Sequence, residues 1–116
     1  MDLHEFLLAR TGEDEREACT VRERALCRVL RELLAIHRRR PEPLYSWAPD
    51  ECEGCGTEGD CDLPITEHID DCPELRILGL LYEHHPEYRA EWAPGAPLVS
   101  MRTQKYASAK HAEGMA

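Results

Sequence analysis

Four of the six cysteines lie close together in the sequence, at positions 52, 55, 61 and 72. They stand in a hydrophilic stretch, residues 51–72, that is rich in Asp and Glu and contains no Lys or Arg. Cys52 and Cys55 form a Cys-x-x-Cys pair, and the glycines at 54 and 56 permit the tight turn by which two thiolates reach one ion. Clustered thiols in a reducing compartment indicate a bound metal before a disulfide. We therefore expect a metal site, with Zn²⁺ as its ion.

A tetrahedral Zn²⁺ needs two ligands besides the Cys-x-x-Cys pair, and the candidates are Cys61, His68, Cys72 and His37. Cys72 is favoured because it immediately precedes a predicted helix and would connect the pair to that helix. His37 is favoured because it ends another predicted helix. The preferred ligand set joins three elements around one ion and consists of His37, Cys52, Cys55 and Cys72. Cys61 and His68 would close a more local site and are the alternative ligands.

Other cysteine chemistry is disfavoured. The first ten residues carry acidic side chains where a secretory signal needs positive charge, which predicts a cytoplasmic protein with reduced thiols. A redox role for the Cys-x-x-Cys pair would need the βαβ context of a thioredoxin fold, and the pattern around it is not of that kind.

An iron–sulfur site is the second hypothesis. The spacing Cys52-x2-Cys55-x5-Cys61, with Cys27 upstream, resembles that of the WhiB-like cluster-binding regulators. Those proteins carry a Gly-Trp-Gly-Gly-type turn after the last cysteine, whereas LPITEHIDD stands there in this sequence. Four thiolates alone do not choose between zinc and a cluster. The alternative function is therefore an iron–sulfur or zinc DNA-associated transcriptional regulator.

Two helices are predicted before the cysteine-rich stretch. A short apolar stripe from Leu3 to Leu8 predicts one or two helical turns, followed by a break at residues 11–14 with Thr11 as a possible N-cap. A long amphipathic helix then runs to about Arg40, where Pro41 ends it. Its predicted apolar stripe is Ala18, Val21, Ala25, Leu26, Val29, Leu30, Leu33, Leu34 and Ile36, and its thiols, Cys19 and Cys27, are expected to be buried.

Regular structure returns after an irregular loop over residues 41–72. Asp71 is the predicted cap and Pro73 stands in the first turn of a helix that is apolar nearly all round as far as His85, which predicts central burial. Tyr88 and Trp92 are expected to contact neighbouring helices. The predicted fold is a small, mainly α domain over residues 1–97, with a zinc-stapled irregular loop between a long amphipathic helix and a buried C-terminal helix. Residues 98–116 are predicted to be a flexible tail.

The charge distribution disfavours two classes of partner. The net charge of −9 divides into −11 for residues 1–99 and +2 for residues 100–116. An acidic body does not attract a phosphate backbone, so nucleic-acid binding is disfavoured, and the basic run Arg38–Arg40 is too short to reverse this. No apolar stretch approaches the roughly 20 residues that span a bilayer, so no membrane association is expected.

The motifs of common enzymes are missing from the sequence. It contains no Gly-rich phosphate loop, nucleophile elbow or His-Glu-x-x-His metalloprotease motif. A zinc hydrolase with Glu67 or Glu83 as base would need an open coordination position, which a full set of four protein ligands does not leave. The predicted function is a small non-enzymatic zinc-binding protein, acting as a protein-interaction or regulatory module with a protein partner that the sequence does not identify.

Four segments resemble a domain family of unknown function found in actinobacteria and their phages: DLHEFLLARTGEDE, RVLRELLAIH, CEGCG and DCPELRILGLLYEHHPEYRAEW. The resemblance covers most of residues 1–93, although the segment between the first two motifs is shorter than in longer family members. In that family a His closing the helix, a Cys-x-x-Cys pair and a Cys before the last helix occur together. The resemblance thus implies the ligands His37, Cys52, Cys55 and Cys72, and it implies no activity.

Overall fold

The computed structural model describes residues 1–100 and is mainly helical, as the sequence predicts. The α-helices are α1 (Leu3–Glu17), α2 (Val21–Ile36) and α3 (Pro73–Gly79). Two short antiparallel strands, β1 (Thr57–Glu58) and β2 (Leu63–Pro64), form a hairpin in the segment between α2 and α3. Turns of 3-10 helix occur at Ile69–Asp71, Leu80–Tyr82 and Ala90–Trp92. No helix among these residues is long and apolar enough to cross a membrane.

The first helix is longer than predicted. Asp2 caps α1 by accepting the backbone N–H of Glu5 at 2.8 Å, and the helix continues to Glu17. The predicted break at residues 11–14, with Thr11 as a cap, is wrong. The Thr11 hydroxyl donates to the carbonyl of Leu7 at 2.7 Å, so this buried polar group is satisfied inside the helix.

The second helix is shorter and less buried than predicted. Thr20 caps it by accepting the N–H of Glu23 at 3.0 Å, and it ends at Ile36 rather than near Arg40. Its buried face consists of Cys27, Leu30 and Leu34. The wider predicted stripe is wrong because α2 packs along one face against α1, and the exposed members are Val21, Ala25, Leu26, Val29 and Ile36. Cys27 is buried as predicted, whereas Cys19 lies exposed before the helix.

The helix that follows Cys72 is less buried than its apolar sequence predicts. α3 ends at Gly79 and gives way to 3-10 structure, so the predicted continuous helix to His85 is wrong. Leu75 faces the core, whereas Ile77 of α3 is exposed, as are Leu80 and Leu81 of the 3-10 turn that follows. A Cβ on Gly79 would stand 3.5 Å from both Leu3 and Tyr88, which is ordinary van der Waals contact, so the buried face of α3 packs against these residues.

The core centres on α1. Phe6 lies with its ring centroid 5.1 Å from that of Trp92, which is buried as expected of an aromatic that contacts a neighbouring helix. Tyr88 packs edge-on against Trp92, with centroids 5.8 Å apart. The same core cluster reaches Cys52 and Cys72, which are both fully buried. The predicted metal ligands therefore stand at the edge of the hydrophobic core.

A buried arginine connects α3 to the chain that follows it. Arg76 is paired with Asp71 at 3.3 Å and donates to the carbonyls of Asp70 and Ala96, each at 2.8 Å. Asp71 also accepts the N–H groups of Val99 (2.7 Å) and Ser100 (3.1 Å). The sequence predicts Asp71 as the cap of α3, and this prediction is wrong. The carboxylate of Asp71 is used in the contacts above, and Cys72 takes the N-cap position.

The boundary at residue 97 stays a prediction. Of the predicted tail 98–116, residues 101–116 lie outside the described residues.

Arg76→Ala is expected to lower the free energy of unfolding by about 3–5 kcal/mol, because it leaves Asp71 buried without its partner. Urea denaturation followed by circular dichroism measures this. Arg22→Ala is the matched control, since Arg22 is exposed on α2, and its effect should stay within about 0.5 kcal/mol. Equal effects of the two substitutions would contradict the role given to Arg76.

Candidate metal centre

The side chains of His37, Cys52, Cys55 and Cys72 converge at one point. Their ligand atoms all lie within 4.8 Å of one another. Nδ1 of His37 is 3.5 Å from Sγ of Cys52, 3.8 Å from Sγ of Cys55 and 3.5 Å from Sγ of Cys72. The sulfurs of Cys55 and Cys72 are 3.6 Å apart. The residues form a possible metal site that draws on three separate parts of the chain.

These separations have the size of the edges of a zinc tetrahedron. Bonds of about 2.3 Å to sulfur and about 2.0 Å to nitrogen give edges of roughly 3.8 Å between two sulfurs and roughly 3.5 Å between sulfur and nitrogen. These four separations, three between sulfur and nitrogen and one between two sulfurs, are therefore compatible with a single tetrahedral ion. Burial supports the same conclusion, because His37, Cys52 and Cys72 are buried and Cys55 is partly buried.

The end of α2 supplies the histidine. His37 leaves helical geometry, with φ −92° and ψ 83°, while its N–H still bonds to the carbonyl of Leu33 at 2.8 Å. The chain then runs alongside the Cys-x-x-Cys pair, with the N–H of Glu53 bonded to the carbonyl of Arg38 at 2.8 Å. This antiparallel contact places the imidazole directly beside the two thiols.

The glycines of the Cys-x-x-Cys turn have two different roles. Gly56 adopts φ +77°, a left-handed conformation that favours glycine and turns the chain into β1. Gly54 is required for a close approach: a Cβ there would stand 2.4 Å from the carbonyl oxygen of Ile36 and 2.8 Å from Nδ1 of His37. The sequence predicts a need for flexibility at both positions, and the contact with α2 becomes visible only in the structure.

The start of α3 supplies the last thiol. Cys72 follows the 3-10 turn Ile69–Asp71 and donates its N–H to the carbonyl of Ile69 at 3.1 Å. Ile69 is itself fully buried, and its N–H bonds to the carbonyl of Asp50 at 2.7 Å. These bonds fix the third cysteine against the segment that carries the first two.

Hydrogen bonding and burial shift the pKa values of the three thiols in different directions. A hydrogen bond from the Cys72 thiol, with help from His37 and the backbone N–H of Cys55, lowers the pKa of Cys52 to about 5 in spite of burial. Burial raises the pKa of Cys55 to about 11. The pKa of Cys72 is also raised, first because its proton bonds to Cys52 and then because it is buried.

A carboxylate that sequence analysis missed lies beside the four residues. Oε2 of Glu74 is 3.5 Å from Sγ of Cys72, 3.9 Å from Sγ of Cys55 and 4.0 Å from Nδ1 of His37. Its side chain is half exposed. The sequence feature that could have indicated Glu74 is its position two residues after Cys72, in the first turn of α3. An acid is also expected at that position because it stabilises the start of a helix.

The alternative ligands point elsewhere. Cys61 is exposed in the turn of the hairpin, and its carbonyl accepts the hydroxyl of Tyr45. Nδ1 of His68 accepts the N–H of Asp70 at 3.1 Å and so caps a 3-10 turn. Cys27 is buried on α2. Among residues 1–100, the converging group contains neither Cys27 nor Cys61, both of which the iron–sulfur hypothesis requires.

Comparison with known proteins adds no further information on this site, since no protein-family model, no curated protein and no solved structure matches the chain.

Gly54→Ala is expected to weaken zinc binding and to lower the free energy of unfolding by about 1–3 kcal/mol, because the new methyl group overlaps the end of α2. A zinc-chelator competition assay and thermal unfolding measure the two effects. Gly12→Ala makes the same chemical change inside α1, where the nearest atoms are 3.6 Å away. This control should leave zinc binding unchanged and raise stability by up to about 1 kcal/mol. A Gly54→Ala protein that behaves like this control would contradict the close approach.

Glu74→Gln tests whether the carboxylate belongs to the ligand set. If four ligands complete the site, the Co²⁺-substituted variant should keep the intense visible bands of a tetrahedral ion and the thiolate-to-cobalt charge-transfer band. Asp60→Asn, on an exposed acid of the hairpin turn, is the control. A Glu74→Gln spectrum that changes in band position and intensity, while the control spectrum does not, would indicate that the carboxylate is a ligand.

Proposed function

We propose that the chain is a small, non-enzymatic zinc-binding protein in which one structural Zn²⁺ is held by His37, Cys52, Cys55 and Cys72. The observation that carries the proposal is the convergence of three sulfurs and one imidazole nitrogen within 4.8 Å. Sulfur-rich sites select zinc or other soft ions over magnesium or calcium, and a Cys₃His set at tetrahedral spacing is typical of structural zinc.

The ion would hold a segment that has little core of its own. Between residues 38 and 71 the buried hydrophobic residues are Ala48, Cys52 and Ile69. Apolar burial of this size cannot by itself order so many residues against the loss of chain entropy. Zinc would supply the missing free energy by joining this segment to the end of α2 and the start of α3.

A structural role follows from the completeness of the ligand set. Four protein ligands leave no coordination position for a water molecule or a substrate, which a catalytic zinc needs. The acid next to the ligands is Glu74, not the Glu67 or Glu83 of a zinc hydrolase. These features support a non-enzymatic protein.

The surface charge supports a protein partner over a nucleic acid. Residues 41–72 contain ten Asp and Glu and no Lys or Arg. Two of these acids, Glu51 and Asp71, are buried, and the other eight contribute to the surface charge. The basic run that precedes them is engaged by acids, with Arg38 near Glu53 (3.4 Å) and Arg39 paired with Asp50 (3.2 Å). We therefore propose an interaction or regulatory module whose zinc orders an acidic surface for a partner protein.

Metal analysis tests the ion and its ligands together. Elemental mass spectrometry of the purified chain should find one zinc per chain, and His37→Ala, Cys55→Ser and Cys72→Ser should each lose stoichiometric zinc. Cys61→Ser and His68→Ala are the matched controls and should keep it. A visible brown chromophore with iron in place of zinc, or zinc loss in the controls alone, would contradict the proposal.

Removal of zinc by a strong chelator should unfold the segment between α2 and α3, because its order depends on the ion. The expected result is a fall in the melting temperature and new protease cleavage between residues 41 and 72, both reversed when zinc is restored. An unchanged melting temperature and cleavage pattern would show that the ion has no structural role.

A further inference from the structure

Two aromatic rings, tilted against each other, lie in the segment that the proposed zinc orders. The ring centroids of Tyr45 and Trp47 are 5.1 Å apart with an interplanar angle of 32°. Trp47 is 54% exposed, which is unusual for the largest apolar side chain. The Tyr45 hydroxyl donates to the carbonyl of Cys61, so the pair is attached to the hairpin turn rather than loose in solvent.

Trp47 forms one wall of a surface cleft of about 300 Å³. The other walls include two carboxylates, Asp50 and Glu67, together with His68 and Ser100. Asp50 is engaged by Arg39 at 3.2 Å. Glu67 has no hydrogen-bond or ion-pair partner within residues 1–100. The cleft thus presents an indole and an uncompensated carboxylate side by side.

The surroundings of the cleft are also negatively charged. The hairpin turn that holds Tyr45 contains Asp60 and Asp62, which form no ion pair with any Lys or Arg within the described part of the chain. Excess negative charge raises the local concentration of a cationic partner and repels nucleic acid. An exposed aromatic ring adds a preference for a cation that can lie flat on it.

We propose that this cleft binds an arginine-containing segment of a partner protein. A guanidinium is planar, stacks on an indole and donates to a carboxylate at the same time, whereas an ammonium cannot do so with the same geometry. Trp47 would provide the stacking face and Glu67 the acceptor. The inference rests on the proposed function, because the ion at Cys52 and Cys55 would fix the segment that carries the cleft.

Fluorescence anisotropy of the zinc-loaded full chain with a short labelled peptide, in which arginines are spaced by glycine and alanine, tests the proposal. The arginine peptide should bind, and a matched peptide with glutamine at those positions should not.

Trp47→Ala should weaken binding about tenfold, while Trp47→Phe should retain most of it, because a ring face remains. Glu67→Gln should weaken binding several-fold and reduce its dependence on salt. Leu81→Ala, which removes an exposed apolar side chain elsewhere, is the control and should bind as the unaltered chain does.

Zinc content and melting temperature, measured for each variant, separate the two proposals. Weaker peptide binding by Trp47→Ala, with zinc retained, supports the cleft as the binding site of the arginine-containing segment. Unchanged binding in Trp47→Ala, or equal binding of the glutamine peptide, would overturn it and leave the metal centre untouched. A protein without zinc would overturn the proposed function instead.

Two further outcomes would assign the cleft to another occupant. Peptide binding that occurs only after truncation following Ser100 would assign it to residues 101–116, which include Arg102. A dimer in solution that Trp47→Ala dissociates would assign it to a second copy of the chain. Either result would overturn the proposed partner.

Discussion

The convergence of three sulfurs on one imidazole nitrogen is the constraint on which the rest of the structure depends. Packing thiols this closely at the edge of a core is unfavourable once they ionise, because like charges in a poorly solvated position repel each other. A bound dication removes this conflict by pairing with the thiolates and replacing their lost hydration. In the proposed function, such compensation would allow the end of α2, the Cys-x-x-Cys turn and the start of α3 to share one location with their thiols ionised. The 2.4 Å that a Cβ at Gly54 would leave to the carbonyl of Ile36 shows how tightly the three segments are drawn together.

The chain divides its stability between two kinds of interaction. Aromatic rings pack around Phe6 of α1 and need no ion. The segment between α2 and α3 contributes few apolar groups, and a metal centre is an efficient way for a small domain to order such a segment. The two regions meet at Cys52 and Cys72, which belong to both the core and the site. An ordered but hydrophilic segment leaves its polar and aromatic side chains free for a partner, which is why we place recognition there.

The sequence predicts the convergent group better than it predicts the helices. The glycines around Cys55 and the position of His37 at a helix end are local signals that favour this set. They leave Cys61 and His68 as alternatives, and only the structure shows which side chains converge. Helix boundaries depend on tertiary contacts instead. The Thr11 hydroxyl can either cap the start of a helix or donate to a carbonyl within one. Which of these two roles it takes depends on the packing of α1. Likewise, the apolar residues of α2 do not reveal that one face lacks a neighbour among residues 1–100. The sequence does not reveal Glu74 as a neighbour of the site, because the position of its side chain depends on the orientation of α3.

X-ray absorption at the zinc edge of the purified chain tests the central claim most directly, because it reports the ligand atoms without any substitution. The account predicts a first shell of three sulfurs at about 2.3 Å and one nitrogen at about 2.0–2.1 Å. A first shell of four sulfurs, or one whose light atom lacks the multiple scattering of an imidazole ring and so belongs to a carboxylate or to water, would contradict the ligand set described here.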